Sequence, residues 1–381
     1  MGDLRKPLVA IVAALVGLGI VMVYSSSALL GDRYGSGLYF LRRQVAWALA
    51  GGAAALVTMN VDYRLWRRHA GAIAAVSIAA LALVLIPGVG IRINNARRWF
   101  WMGGFSLQPS EFARFGALVY VAAFCASDEL RLRSFSRGFL PLVGMIGACA
   151  LLVLLEPDTG TCLLTASVLT AVAVTGGMRL RHLVPIALAV VPVVALFAWW
   201  RYPHIAGRII SWQQLLSDPM AASVAAKAYQ PQQSLIALGS GGAFGVGLGQ
   251  GMQKLYFLPN PYNDFILAII GEEMGLAGTL LVVGLFMAFV YVGLKIAAAS
   301  RDRFGMLLAY GVVLFIGMQA LINIAVATAS VPAKGISLPF VSFGGSSLIF
   351  TMAAVGVLAN VATVALAEGI EAARAAEAAG D

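Results

Sequence analysis

Charge is what this sequence has least of. Only 11% of its 381 residues are Asp, Glu, Lys or Arg, against about 25% in soluble domains, while 60% are hydrophobic and the mean hydropathy is +0.88. That scarcity excludes an ordinary soluble domain and puts the chain in a bilayer. Cysteine is nearly as rare. Cys125, Cys149 and Cys162 all fall inside apolar runs, odd in number and without CxxC spacing, which excludes a disulfide framework and a thiolate metal site. Histidine is equally sparse: His69, His182 and His204 are far apart and lack metal-ligand spacing, so no protein-ligated zinc site is expected. The net charge of +9 would suggest nucleic acid in a soluble protein. Here the Lys and Arg residues sit in short loops between apolar runs, a signal of membrane topology, and no nucleic-acid partner is expected.

What the sequence does have is apolar runs of the length that spans a bilayer, about 20 residues each. They lie near 8–28, 44–60, 70–86, 110–126, 139–155, 160–176, 183–200, 264–294, 305–328 and 346–367. The expected fold is an all-α polytopic membrane protein with ten transmembrane helices. A single membrane domain covers residues 1–367, with a large extracytoplasmic loop, 201–263, between helices 7 and 8, and residues 368–381 form a cytoplasmic tail. The first run is long and lacks a small-residue cleavage pattern, so it reads as a retained span rather than a signal peptide. With both termini cytoplasmic, the inner loops carry fourteen basic residues, Arg131 and Arg133 among them, and the short outer loops seven, including Arg33. That bias sets the orientation, because long loops such as 201–263 translocate largely regardless of charge.

Polar residues gather at the outer ends of these runs. The segment QGMQKLYFLPNPYNDFILAIIGEEMG, Gln250 to Gly275, brings Gln253, Lys254, Tyr256 and Asn263 up to Asp264 at the mouth of the eighth run. Asp264 could cap that helix or serve chemistry, and spacing alone does not separate the two. Glu272 and Glu273 lie two turns inside, where a charge costs about 2.5 to 3.5 kcal/mol to insert. The loop ARRWFWMGGFSLQPSE sets Arg97 and Arg98 beside Trp99, Phe100 and Trp101. Such aromatics suit an interfacial belt, but the outward arginines also suit a bidentate grip on phosphate or diphosphate. Glu111 and Arg114 share a helix face three residues apart and read either as an ion pair or as part of a site. In EPDTGT, Asp158 is expected to cap the sixth helix. GRIISWQQLLSDPMAAS has helical amphipathic spacing and should lie on the membrane surface. The glycines from 239 to 251 lack a P-loop ending and read as a re-entrant segment covered by protein. The last outer loop, ATASVPAKGISLPFVSFGGSS, holds Lys334 and then Ser342, Ser346 and Ser347.

Taken together, GQGMQKLYFLPNPYNDFILAIIGEEMG, RRWFWMGGFSLQPSEFAR, EPDTGT and ATASVPAKGISLPFVSFGGSS resemble the SEDS family of bacterial shape, elongation, division and sporulation proteins. GLGIVMVYSSSA and QKLYFLP followed by IGEE are more similar to the FtsW division branch than to the RodA elongation branch. The resemblance implies a peptidoglycan glycosyltransferase of the bacterial inner membrane that joins lipid II to a nascent glycan strand. It would work with a class B penicillin-binding transpeptidase and other divisome or elongasome membrane proteins. The family's essential aspartate falls on Asp264, its PSE glutamate on Glu111 and its outer-loop lysine on Lys334. Two positions depart from the family pattern: Asn263 replaces the usual Thr, and Arg114 the usual Lys, which trades a compact ammonium for a planar fork. Asp264 is the expected catalytic group, with a divalent cation, magnesium or manganese, as the one cofactor left open. Arg98, Trp99, Glu111, Arg114, Gln253, Lys254, Lys334, Ser342 and Ser347 are the expected substrate contacts. A lipid II flippase or other transporter, with charge at the membrane midplane and related halves, and a non-catalytic scaffold are the competing readings.

Overall fold

The structure, a computed structural model, describes residues 3–31, 36–93, 96–103, 105–127, 132, 134–217, 229–255 and 257–380. Arg33, Arg131, Arg133 and Tyr256 lie outside the described residues. Each of the ten expected runs is helical: α1 (Arg5–Gly31), α2 (Tyr39–Asn60), α4 (Ala70–Leu85), α5 (Pro109–Cys125), α6 (Leu140–Leu155), α7 (Thr159–Thr175), α8 (Leu180–Arg201), α11 (Ile266–Ala299), α12 (Arg303–Ala327) and α13 (Gly345–Gly380). Between them lie a short α3 (Arg64–Arg68), a π-helical turn at Phe135–Phe139, and α9 (Pro203–Ser217) and α10 (Tyr229–Ser240) in the long loop. Among the described residues, six helices are long and apolar enough to cross a membrane, and α4 and α7 are shorter apolar helices. The chain is therefore a multi-pass membrane protein.

The helices form because uncharged apolar runs satisfy their own backbone, as any segment in lipid must. Their packing follows helical periodicity. On α1, Leu8, Val12, Leu15, Gly19, Met22 and Ser26 are buried at intervals of three or four, giving one face to the bundle and the other to lipid. α2 lies along α13, α11 along α12 and α4 along α5. α8 differs: none of its residues is buried, and Pro185 and Pro192 interrupt its backbone ladder.

Two features depart from the expectation. The outer loop after α4 is a small antiparallel sheet in the order β1 (Ile91–Ile93), β2 (Ala96–Met102), β3 (Phe105–Leu107), so the fold is not wholly helical. Its signal is the aromatic run Trp99, Phe100 and Trp101 in ARRWFWM, since large aromatic side chains favour strands. The second departure is in α11, which starts at Ile266 rather than Asp264 and is broken at Gly275 (φ 68°, ψ −163°). A positive φ favours glycine, and a Cβ at Gly275 would lie 2.3 Å from the Gly245 nitrogen. The break admits the glycine-rich segment: Gly242 and Gly241 carbonyls accept from Leu276 and Gly245, and Ala243 accepts from Ala277. The segment is covered only in part: Gly241 and Gly251 are buried, whereas Phe244, Val246 and Leu248 stay exposed, so the fully covered segment expected from the sequence is not what the fold makes.

Candidate functional site

A cavity of about 890 Å³ opens where β2, the start of α5, the α6–α7 turn, the 260–264 loop and the 334–347 segment converge. Its described lining includes six cations, Arg92, Arg98, Arg114, Arg201, Arg208 and Lys334, against three carboxylates, Glu111, Asp158 and Asp264. The balance favours an anionic ligand. Trp99 and Ser347 also line it.

Asp264 is held by its backbone rather than its side chain. Asn323 Nδ2 donates to the Asp264 carbonyl at 2.9 Å and to the Ile336 carbonyl at 2.7 Å, tying the loop before α11 to the loop after α12. Ser342 Oγ repeats the link one residue away, donating to the Asn263 carbonyl at 2.6 Å and accepting from Leu338 N–H at 2.8 Å. These bonds leave the carboxyl free to face the cavity. Asp264 is not the cap of α11, since Phe265 occupies that position and makes no side-chain cap bond. Burial pushes the Asp264 carboxyl up to about 6, with Arg208 pulling it down and Asp158 pushing it further up. Space for it is made at Gly335, where a Cβ would lie 2.8 Å from Asp264 Oδ2.

The cations around it have different duties. Arg98 was expected to grip phosphate, but its guanidinium already donates to the Glu156 carbonyl at 2.7 Å and the Pro157 carbonyl at 2.6 Å, with Asp158 Oδ2 at 3.5 Å. It braces the α6–α7 turn from the cavity wall. Within that turn Asp158 caps α7 as expected, accepting from Thr161 N–H at 3.0 Å. Glu156 is fully buried beneath it, and burial, then the Asp158 charge, push its carboxyl up to about 8 against the pull of Arg98. Glu111 and Arg114 form the expected ion pair, and Arg114 also donates to Gln319 Oε1 at 3.0 Å, whose Nε2 donates to the Ser337 carbonyl at 2.9 Å. Lys334 and Arg208 both have their pKa lowered by burial, which leaves two poorly solvated cations available to an anion.

Three sequence expectations need correction. Gln253 and Lys254 are not brought to the cavity. Gln253 donates its backbone N–H to Glu272 Oε1 at 3.1 Å, and Lys254 Nζ is buried against Glu273 Oε1 at 2.6 Å, with Ser25 Oγ at 3.1 Å. Glu272 and Glu273 are there to hold the glycine segment in the broken helix: Met252 N–H reaches Glu272 at 2.6 Å and Gly249 N–H reaches Glu273 at 3.0 Å. Ser342 is the third correction, since it is buried as a clamp and does not line the cavity.

Sequence reasoning missed Arg208, Gln319, Asn323 and Gly335. Gln319 and Asn323 had a visible signal, two amides one turn apart in an apolar helix. Arg208 was hidden by the exemption of the long loop from charge counting. Among the described residues no group of three His, Cys, Asp or Glu side chains converges. The donor set still fits a magnesium-type cation, which binds through one or two carboxylates plus substrate phosphates and water.

Residues 6–366 match the profile of the FtsW/RodA/SpoVE family, described as cell cycle protein. The chain is 40% identical over 371 residues to a probable peptidoglycan glycosyltransferase FtsW of Trichlorobacter lovleyi, covering 94% of this chain and 95% of that one. It is 38% identical over 358 residues to stage V sporulation protein E of Bacillus subtilis, covering 93% and 95%. Among solved structures it is similar to a component of a peptidoglycan synthase complex that coordinates polymerization and crosslinking, with TM-score 0.75, 26% identity and coverage of 94% and 97%. It is also similar to the rod shape determining protein RodA of Thermus thermophilus, with TM-score 0.68, 27% identity and coverage of 93% and 95%. With a profile match over nearly the whole chain, relatives near 40% identity and a common fold, this protein belongs to the FtsW/RodA/SpoVE family.

Proposed function

We propose that this chain is a peptidoglycan glycosyltransferase that extends glycan strands from lipid II at the outer leaflet, with Asp264 as general base. The observation that carries the reading is the Asp264 carboxyl, raised to about 6 in the wall of a cation-rich cavity. Such a group is ionised at neutral pH yet basic enough to accept a proton from a sugar hydroxyl. The acceptor's 4-hydroxyl oxygen attacks the donor's anomeric carbon while Asp264 takes the hydroxyl proton. The bond to the lipid diphosphate breaks, and the anomeric configuration inverts. The leaving group departs as a stabilised anion, so a second protonated carboxylate is not needed. Arg114, Arg208 and Lys334 compensate its charge. Were a divalent cation held by Asp264, that carboxylate would serve as its ligand rather than as the base, and the cation would compensate the same charge as a Lewis acid.

The names of the relatives support this activity, and the FtsW relatives favour the division branch. Similarity to a component of a complex that couples polymerization to crosslinking supports a class B transpeptidase partner within a larger divisome or elongasome assembly. The arginine bias supports ten crossings of the bacterial inner membrane, cytoplasmic termini and an outward 201–263 loop.

The test is incubation of the purified chain, with and without its transpeptidase, with labelled lipid II. Long glycan strands are expected from the parental chain. Asp264→Asn should lower their rate by about two to four orders of magnitude, with thermal stability nearly unchanged because the side chain caps no helix. Lipid II that crosses a vesicle membrane without forming glycan would support the transporter reading. No glycan under any condition, with the transpeptidase still bound, would leave the scaffold.

A further inference from the structure

Beside the polar cavity lies a second, smaller one of about 320 Å³, and its character is opposite. Its walls are Leu163 on α7, Ile205 and Ile209 on α9, Ile322 on α12 and the Val331–Ala333 turn. The two cavities share Thr159, Gly160, Arg208, Lys334 and Ile336, so the apolar slot runs into the polar cavity past the two cations. The slot opens toward lipid, since Leu163 is 62% and Val331 36% exposed. α9 is fixed over it by Trp212 Nε1, which donates to the Ala329 carbonyl at 2.7 Å.

We propose that this slot seats the diphosphate-proximal isoprene units of the lipid-linked substrate, with the diphosphate itself between Arg208 and Lys334. The inference rests on the glycosyltransferase reading and adds to it the place where the lipid enters. An apolar slot that ends at two cations matches a ligand with an apolar chain joined directly to an anion. The charges favour a diphosphate, which would restore to Lys334 and Arg208 the solvation that burial takes from them. An occupant of the slot gains little from apolar burial alone, because bilayer lipid is already as apolar as the walls. What the slot adds is registration: a chain held there fixes its diphosphate, and so the attached anomeric carbon, relative to Asp264.

The experiment uses the full chain in lipid nanodiscs with a long-chain polyprenyl diphosphate that carries no sugar and bears a diazirine on its first isoprene units. Mass spectrometry should find crosslinks on the peptides containing Leu163, Ile209 and Ile322, and unlabelled polyprenyl diphosphate, but not phosphatidylglycerol, should compete. Leu163→Trp and Ile322→Trp each fill the slot from a different wall. Both should lower crosslinking at least fivefold and lower kcat/KM for lipid II by a similar factor. Crosslinks that map elsewhere, that phosphatidylglycerol displaces equally, or that survive both Trp variants in folded protein overturn the proposal. The readout needs no polymerisation, so slot labelling in a chain that makes no glycan would sink the glycosyltransferase reading and leave the binding site standing. Normal polymerisation with unaffected Trp variants would do the reverse.

Discussion

Asp264 and Glu273 stand a few turns apart on one stretch of chain, and their surroundings are opposite. Glu273 is enclosed: its carboxylate accepts from Ser25 Oγ at 2.8 and 2.6 Å and from Gly249 N–H at 3.0 Å, and pairs with Lys254 Nζ at 2.6 Å. Asp264 has the reverse arrangement, with its backbone clamped by Asn323 and its carboxyl turned to the cavity. In the sequence Glu273 looked costly inside an apolar run, and Asp264 looked like either a cap or a reactive group. The difference teaches that depth or acidity does not mark the reactive carboxylate. What marks it is a carboxyl whose acceptors the fold both leaves unused and turns to the cavity, since Glu156 also keeps unpartnered oxygens but is buried outside the cavity lining.

The comparison is broken or sharpened most strongly by paired substitutions. Asp264→Asn removes activity and spares stability, whereas Glu273→Gln should do the opposite. Removing one partner of a buried ion pair typically costs about 3 to 5 kcal/mol, and Lys254 is left buried at 7% side-chain exposure. Thermal unfolding of the two variants in the same detergent checks this. A stable but inactive Glu273→Gln would mean that the glycine segment takes part in chemistry. Next in size is Gly335→Ala. Its new methyl would meet Asp264 Oδ2 at 2.8 Å and push the carboxyl off its position. A shift of this kind costs roughly tenfold to a hundredfold in rate, and kcat with unchanged melting temperature is the readout. A parental rate would show that the pose of Asp264 is not constrained.

Lys334→Ala comes third, with lipid II use expected to fall by about tenfold, or about 1.4 kcal/mol of lost stabilisation. Steady-state kcat/KM measures it, and an unchanged value would make Lys334 a headgroup anchor. The smallest effect is a displacement of the pH profile. The base must be ionised, so the rate should fall as pH drops through about 6. Arg208 lowers the Asp264 pKa, so Arg208→Gln should move this acid limb to higher pH. A limb that stays in place would separate Arg208 electrically from Asp264.

Much of the site was legible because its signals are local. Hydropathy runs located the helices, since a span must satisfy its own backbone within one segment. The Asp158 cap and the Glu111–Arg114 pair follow from spacings of three residues, which a helix start or helix face converts directly into contact. Asp264 stood out through its segment and through the family it resembles. Which neighbours it has was another matter. Gln253 and Lys254 lie near it in sequence and turn away, while Gly335, Asn323 and Arg208, distant in sequence, are brought to it. The β-sheet in the outer loop had only the aromatic run at 99–101 as its signal, and that run suits an interfacial belt as well as a strand. Sequence by itself determined the membrane class, the helices and the Asp158 cap, because each depends on residues within a turn or two of one another. The tertiary structure alone decided which charges are neutralised and which are left facing a cavity, because that depends on which loops pack together across hundreds of residues.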